Sequence, residues 1–453
     1  MSSNLPEFVE SAELARLIPV VADSNKEQRL TSIVLAAMHA VYDFRQAMLG
    51  TLGVRVGKRA NLHAWTEVTF RDSGKGKDKQ SRKDRPDGLL ILDTGKKQWR
   101  ALVEAKVGNA EIDEEQLKAY VQQAKQHKLD AVITISNQFV AMPSHHPVKL
   151  PKNQIRGIEL YHWSWMYILT QATLLLESDD MESDDQRFML DEVTRFMSHD
   201  SSGISQFTSM NKEWKDVVGK VKCDASLSRT SEEVENTVSS WHQEQRDLCL
   251  IMSRKLGQTA SLRLSRSHRT DPQQRLKDDT DRLVKEKQLG CTLVVPNAAA
   301  DLEVTADLSR RTIVCSMRLS APQDRKSTKA RVNWLTRQLG DIEGQGIHIK
   351  AVRSGKAPDT QVSLEEARNH PESLESEGAN SVPRAFEVLY VVDLAGSFSG
   401  SKKFIEALEQ AVPHFYEQAG QRLRAWVAPP PRIRSADPAA EDEPDEHGGD
   451  ALE

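Results

Sequence analysis

Between residues 26 and 52, apolar side chains recur every three or four positions. Leu30, Ile33, Val34, Met38, Val41, Phe44 and Leu49 fall on one face, which predicts a single long amphipathic helix. The period then changes. Segments 62–70, 88–92, 98–103, 131–135 and 157–161 are short and apolar or alternating, as strands are. Segment 111–127 lacks Gly and Pro and has helical length, and 163–176 reads as a further helix. The predicted order is αβββαββα, with a hairpin across Asp93-Thr94-Gly95.

An acidic, Ser-rich run at 177–185, a short helix at 188–197 and a loop at 199–203 close this layer, so a boundary is expected near residue 200. Beyond it, helices are predicted at 212–222 and 231–256, strands around 292–295 and 312–319, and a basic helix at 326–339. A strand pair, 347–352 and 386–392, brackets a polar stretch, 355–382, read as flexible. A last helix over 401–424 carries Pro413, which favours a kink. The expected fold is thus an α/β domain at 1–200, an α+β domain at 201–427 and a disordered tail at 428–453. The tail's Pro, Ala and acidic residues bury too little apolar area to order it.

Composition changes the picture in three ways. A length of 453 residues allows more than one buried core. The formal charge of −5 is misleading, because residues 435–453 carry eight acids and no Lys or Arg, leaving the rest at +3 and compatible with a nucleic-acid partner. Four cysteines, Cys223, Cys249, Cys291 and Cys315, are too few and too scattered for a disulfide framework or a C-x-x-C zinc site. An acidic N-terminal stretch and the lack of any run of 18 apolar residues lead to the expectation of a soluble, cytoplasmic protein without a membrane partner.

The chemistry-bearing stretch is Arg85-Pro86-Asp87-Gly88, then Glu104-Ala105-Lys106, then Gln116 to Tyr120. Side chains alternate along a strand, so Glu104 and Lys106 share one face while Ala105 points to the other. Asp87, opening the neighbouring hairpin strand, brings a second carboxylate beside Glu104. Two strand-held carboxylates and the Ala105 carbonyl are hard oxygen donors suited to Mg²⁺ or Mn²⁺. Such an ion neutralises phosphate charge and lowers the pKa of a bound water, as phosphodiester hydrolysis requires. Lys106 is suited to orienting that water and stabilising developing charge.

Pro86-Asp87 followed by Glu104-x-Lys106 resembles the PD-(D/E)xK nuclease superfamily. That resemblance implies a restriction-endonuclease-like αβββαβ core over about residues 20–180 and a metal-dependent nuclease acting on DNA, with RNA the alternative substrate. Gln116-x-x-x-Tyr120 is similar to the Q-x-x-x-Y element of the RecB-type branch, which implies that both side chains lean toward the scissile site. Residues four apart on a helix do share a face. Glu27, near the start of the first helix, stands where relatives often carry a further metal-linked acid. Two other acid-x-Lys copies, Glu213-Trp214-Lys215 and Asp324-Arg325-Lys326, lack the upstream Pro-Asp strand. A catalytically inactive nuclease-fold protein that binds nucleic acid or recruits partners is the competing reading, because fold alone does not separate the two.

His145-His146 lacks a third ligand at zinc spacing and reads as a polar loop. Trp163 and Trp165 read as core, and Glu67 faces either the site or solvent. Trp334 sits among Arg325, Lys326, Lys329, Arg331 and Arg337, which suits either nucleic acid or a solvated helix face. The run 71–85 carries seven Lys or Arg against three Asp and leads directly into Asp87, as a loop tracking a phosphate backbone does. If it does so, replacing Lys75, Lys77, Lys79, Arg82 and Lys83 by Gln weakens nucleic-acid binding and flattens its dependence on salt, with little change in sequence preference. An unchanged slope of log K against log salt removes this segment from the interface.

Overall fold

A computed structural model describes residues 5–22, 25–71, 85–178, 180–355, 357–377, 381–428 and 430. Lys75, Lys77, Lys79, Arg82, Lys83 and the acidic tail beyond Pro430 lie outside them. The first half runs β1 (Val9–Leu14), α1 (Lys26–Ala40), α2 (Tyr42–Gly50), β2 (Asn61–Phe70), β3 (Gly88–Asp93), β4 (Gln98–Ala105), α3 (Glu114–Gln126), β5 (Ala131–Ser136), β6 (Glu159–Ser164), α4 (Trp165–Glu177) and α5 (Asp184–Met197). The expected αβββαββα order is present, preceded by β1. The single helix expected at 26–52 is two, because Val41 is extended with φ −101° and ψ 110°. Val41 and Phe44 are both fully buried, so the apolar spacing continues across the break and conceals it.

These strands form one sheet in the order β1-β2-β3-β4-β5-β6. The first four are antiparallel to their neighbours, whereas β5 and β6 continue parallel to β4. Alternation sorts the side chains onto two faces. Val103 and Ala105 pack with α1, α2, α4 and α5, while Leu102 packs with Leu117, Tyr120 and Val121 of α3. A bulge in β2 interrupts the pairing with β1 near Glu67, whose φ is 53°. The extra residue turns Val68 and Phe70 toward the α3 face, alongside Trp65. The 93–97 turn is capped locally, with Gly95 N–H donating to Asp93 Oδ1 at 2.7 Å and Thr94 N–H to the Lys97 carbonyl at 3.1 Å.

The second half adds α6 (Trp214–Lys222), α7 (Glu232–Leu256), β7 (Ser261–Leu262), α8 (Arg266–Thr270), α9 (Pro272–Glu286), β8 (Gln288–Val294), β9 (Leu302–Asp307), β10 (Thr312–Ser320), α10 (Thr328–Leu339), β11 (Ile347–Val352), β12 (Thr360–Ser363), α11 (Leu364–Asn369), β13 (Ala385–Asp393) and α12 (Ser401–Gln418). Its seven strands form a separate antiparallel sheet, β12-β11-β13-β10-β9-β8-β7. Among the described residues the chain is therefore a mixed α/β protein with two sheets and twelve α-helices. Segment 355–382, expected to be flexible, contributes β12, which pairs with β11, and α11, which buries Leu364 and Ala367. Helices α8 and α9 and strand β9 were not anticipated. Helix α8 is only five residues long, α9 is strongly polar and buries only Arg275, Thr280 and Leu283, and β9, although Leu302, Val304 and Ala306 alternate as a strand's do, is only six residues long.

Helix α7 serves both halves. Leu250 joins the core beneath the first sheet, while Trp241, Leu248, Cys249 and Met252 join the core of the second. Arg254 donates to Thr170 Oγ1 on α4 at 2.7 Å, and the Arg246 guanidinium lies 4.9 Å from the Tyr167 ring centre.

One glycine decides how closely α1 approaches the sheet. A Cβ on Gly88 would stand 2.6 Å from Leu35 Cδ1 and 3.2 Å from Val103 Cβ, and Leu35 is fully buried. Gly88→Ala is therefore expected to destabilise the fold by about 1–3 kcal/mol, measured by urea unfolding. Combining it with Leu35→Ala should cost less than the sum of the two single changes, because the smaller residue 35 leaves room for the new methyl. Strict additivity would show that the two positions do not meet.

Candidate functional site

The carboxyl end of β4 is where the first sheet changes from antiparallel to parallel pairing, and the predicted residues converge there. Lys106, one residue past β4, is anchored through its backbone. Its N–H donates to the Ile135 carbonyl of β5 at 2.8 Å, and its carbonyl accepts from Trp165 Nε1 at 2.7 Å. Trp165 is thus a core residue, as expected, that also fixes the strand end.

Glu104 is only 2 % exposed, and its Oε1 accepts from Lys106 Nζ at 2.6 Å. The same ammonium donates to Glu27 Oε1 at 3.3 Å and to the Ala105 carbonyl at 3.2 Å. It thereby ties the first turn of α1 to the end of β4. Asp87 lies beside this group because β3 pairs with β4, Gly88 facing Val103. The Ala105 N–H donates to Asp87 Oδ2 at 2.8 Å, fixing one carboxylate oxygen and leaving the other free.

Gln116 and Tyr120 share one face of α3, with Gln116 Nε2 donating to the Tyr120 hydroxyl at 2.8 Å. The hydroxyl donates onward to the Arg85 carbonyl at 3.2 Å, which holds the segment leading into Asp87, and it lies within electrostatic reach of Glu104. Glu67 also grips this segment. Its N–H donates to the Asp87 carbonyl at 3.3 Å, Val68 N–H donates to the Pro86 carbonyl at 3.2 Å, and Glu67 Oε2 accepts from Arg85 at 3.3 Å. The left-handed backbone of Glu67 had no sequence signal, since that conformation usually announces itself as Gly or Asn.

Charge in the site is strained. Burial raises the Asp87 carboxyl well above the usual range, and the neighbouring Glu104 carboxylate raises it further. Burial likewise raises Glu104, against the pull of Lys106. Burial pushes the Tyr120 hydroxyl up, so it stays un-ionised. For Lys106, burial favours the neutral amine, but Glu104, Asp87 and Glu27 together outweigh it and hold the ammonium.

Among the described residues, no three or more His, Cys, Asp or Glu side chains are gathered into a ready metal shell. The donors at the β4 end nevertheless suit a hard divalent cation. Glu104 Oε2 is buried with no hydrogen-bond partner among the described residues, the Asp87 carboxylate lies within electrostatic reach of Glu104, and the Ala105 carbonyl shares the Lys106 ammonium with Glu104 Oε1. Glu27 reaches the group through Lys106. The other acid-x-Lys copies build nothing comparable. Glu213 precedes α6 and accepts from Asn211 and Asn236, while Asp324 and Lys326 lie in the turn before α10. The His pair is structural as well, with His145 bonded to the Arg269 carbonyl at 2.8 Å and His146 to Thr134 Oγ1 at 2.8 Å.

Comparison of the chain with family models, with curated proteins and with solved structures returns no match. No helix among the described residues is long and apolar enough to cross a membrane.

Because Asp87 has a higher pKa folded than unfolded, it costs stability as pH rises from the ordinary Asp range, about 3.9, through its folded value. Asp87→Asn keeps an acceptor for the Ala105 N–H but removes that charge. In divalent-free buffer the variant should gain stability relative to wild type as pH rises from 4 to 7, measured by chemical denaturation. A stability difference independent of pH over that range would contradict the placement of this carboxylate.

Proposed function

We propose that the chain is a metal-dependent nuclease that hydrolyses phosphodiester bonds, with DNA as substrate and a restriction-endonuclease-like core built from residues 1–200. The observation that carries this reading is one arrangement. Asp87 and Glu104, from adjacent strands, meet Lys106 at the end of β4, with one Glu104 oxygen buried and unpaired. Residues 201–427 are assigned the task of holding substrate or partner.

Asp87, Glu104 and the Ala105 carbonyl would hold Mg²⁺ or Mn²⁺, with Glu27 in reserve beyond Lys106. Such an ion, when bound, neutralises phosphate charge and acidifies a coordinated water. The chain's own groups do the rest. Asp87 is pre-aimed by the Ala105 N–H, so its orientation costs nothing when substrate arrives. Lys106 stays protonated beside three carboxylates, so it acts as a fixed cation that orients the attacking water and meets charge developing on the phosphate, not as a general base. Tyr120, un-ionised and fed by Gln116, holds Arg85 and with it the approach to Asp87. The body of the chain outside the acidic tail is net basic, which suits a polyanion.

Purified protein incubated with linear, circular and single-stranded DNA and with RNA, in Mg²⁺, Mn²⁺ or EDTA, tests the reading. Metal-dependent cleavage is expected, abolished in Asp87→Asn and Glu104→Gln. Lys106→Met should slow single-turnover cleavage by roughly 10²–10³-fold while leaving substrate binding nearly intact, because the lost interaction strengthens mainly in the transition state. Nucleic-acid binding with no metal-dependent turnover on any substrate would overturn the enzyme assignment in favour of a non-catalytic binding module.

A further inference from the structure

Far along the chain from the candidate site, α7 and α12 pack against each other, and three carboxylates gather in their seam. Glu244 and Asp247 come from α7 and Glu409 from α12. Glu244 and Asp247 are 0 % exposed, and Glu409 is half-buried. Both oxygens of Glu244, Oδ1 of Asp247 and Oε1 of Glu409 are buried without a hydrogen-bond partner. Asp247 Oδ2 accepts from the Phe207 N–H at 2.7 Å. Native proteins rarely leave so many buried acceptors unpaired in one place.

The seam's surroundings do not compensate these acids. Arg246 and Arg254 of α7 act on Asp247, and Arg254 also on Glu409, but Arg254 donates to Thr170 and Arg246 lies over Tyr167, both on α4. Glu406 of α12 adds a further negative charge near Glu409. From β8 the Cys291 thiol lies within reach of Glu244, and Arg275 of α9 sits by Cys249 and Cys291 with its guanidinium on Gln245. A buried carboxylate lacking partners takes up a proton instead of remaining charged, and neighbouring carboxylates reinforce that preference. A cavity of about 380 Å³, lined by Arg254, Lys255, Glu406 and Glu409 among others, borders the seam and gives water a path to it.

We propose that this seam is a proton-controlled joint. Glu244, Asp247 and Glu409 hold α7 against α12 while protonated, and their ionisation loosens that packing together with the grip of α7 on α4. Burial pushes Asp247 up to about 6 and Glu409 up to about 7, and pushes Glu244 well above the ordinary carboxyl range. The sign follows from the raised values. In the unfolded chain these groups ionise near pH 4, so the folded state binds more protons from there up to the folded values, and stability falls as pH rises from about 4 to about 7. His145, His146, His162 and His242, held neutral by burial, contribute with the opposite sign below about pH 6.5, so the joint is read as a difference between proteins.

The test compares unfolding free energies of the full chain and of Glu244→Gln/Glu409→Gln from pH 5 to 8. The variant's advantage over wild type is expected to grow from pH 5 to 7, and hydrogen exchange in α12 should speed up beyond its intrinsic pH dependence in wild type but not in the variant. A pH-independent difference would overturn the joint. Should the double variant fail to fold, carbon-detected titration of wild-type side-chain carboxyls decides the matter. Midpoints near 6 for the assigned Asp247 signal and near 7 for the assigned Glu409 signal support the proposal, and both of them titrating near 4 refutes it.

Discussion

The ammonium of Lys106 is the point on which the first half depends. It is the cation that satisfies a buried carboxylate, and it connects elements that approach from opposite faces of the sheet. Glu104 sits on the α3 face, whereas Glu27 opens α1, which packs on the other. A carboxylate as enclosed as Glu104 is costly without a partner, and removing one member of such a pair costs more than the pair contributes. The protein meets that constraint by pinning the Lys106 backbone through Ile135 and Trp165, so the flexible side chain has little freedom left to lose.

Around that cation the remaining parts are arranged to keep charge under tension. Asp87 is held by a backbone N–H and by strand pairing, with no cation among the described residues bonded to it, and burial and the proximity of Glu104 disfavour its ionised form. Such a pair of carboxylates is costly alone and well suited to a divalent cation, the combination expected where binding energy serves function at the expense of stability. The strained backbone of Glu67 and the Tyr120 clasp on Arg85 restrict the segment entering Asp87 from two sides.

Much of this arrangement was legible in the sequence because it depends on period and order. Alternation alone predicts that Glu104 and Lys106 share a face, and the hairpin reading brings Asp87 alongside. The four-residue spacing of Gln116 and Tyr120 predicts their contact. What stayed hidden involves backbone conformation or long-range partners. The break at Val41 leaves the apolar spacing intact, and the bulge at Glu67 uses a residue type that gives no warning. Strand β12 depends on pairing with β11, which no local pattern within 355–382 encodes. Trp165 was readable as core but not as the donor that holds Lys106. In the second half, unpaired acids such as Glu244 sit in a helix whose charged composition looks like an ordinary solvated face, so only burial distinguishes them.

On this reading Asp87 and Glu104 together form a divalent-cation centre. Equilibrium binding of Mn²⁺, followed by electron paramagnetic resonance on the full chain without nucleic acid, tests it most directly. One bound ion is expected in wild type, with affinity reduced by at least roughly tenfold in Asp87→Asn/Glu104→Gln, since both protein ligands lose their charge. Equal Mn²⁺ affinity in the two proteins would contradict it.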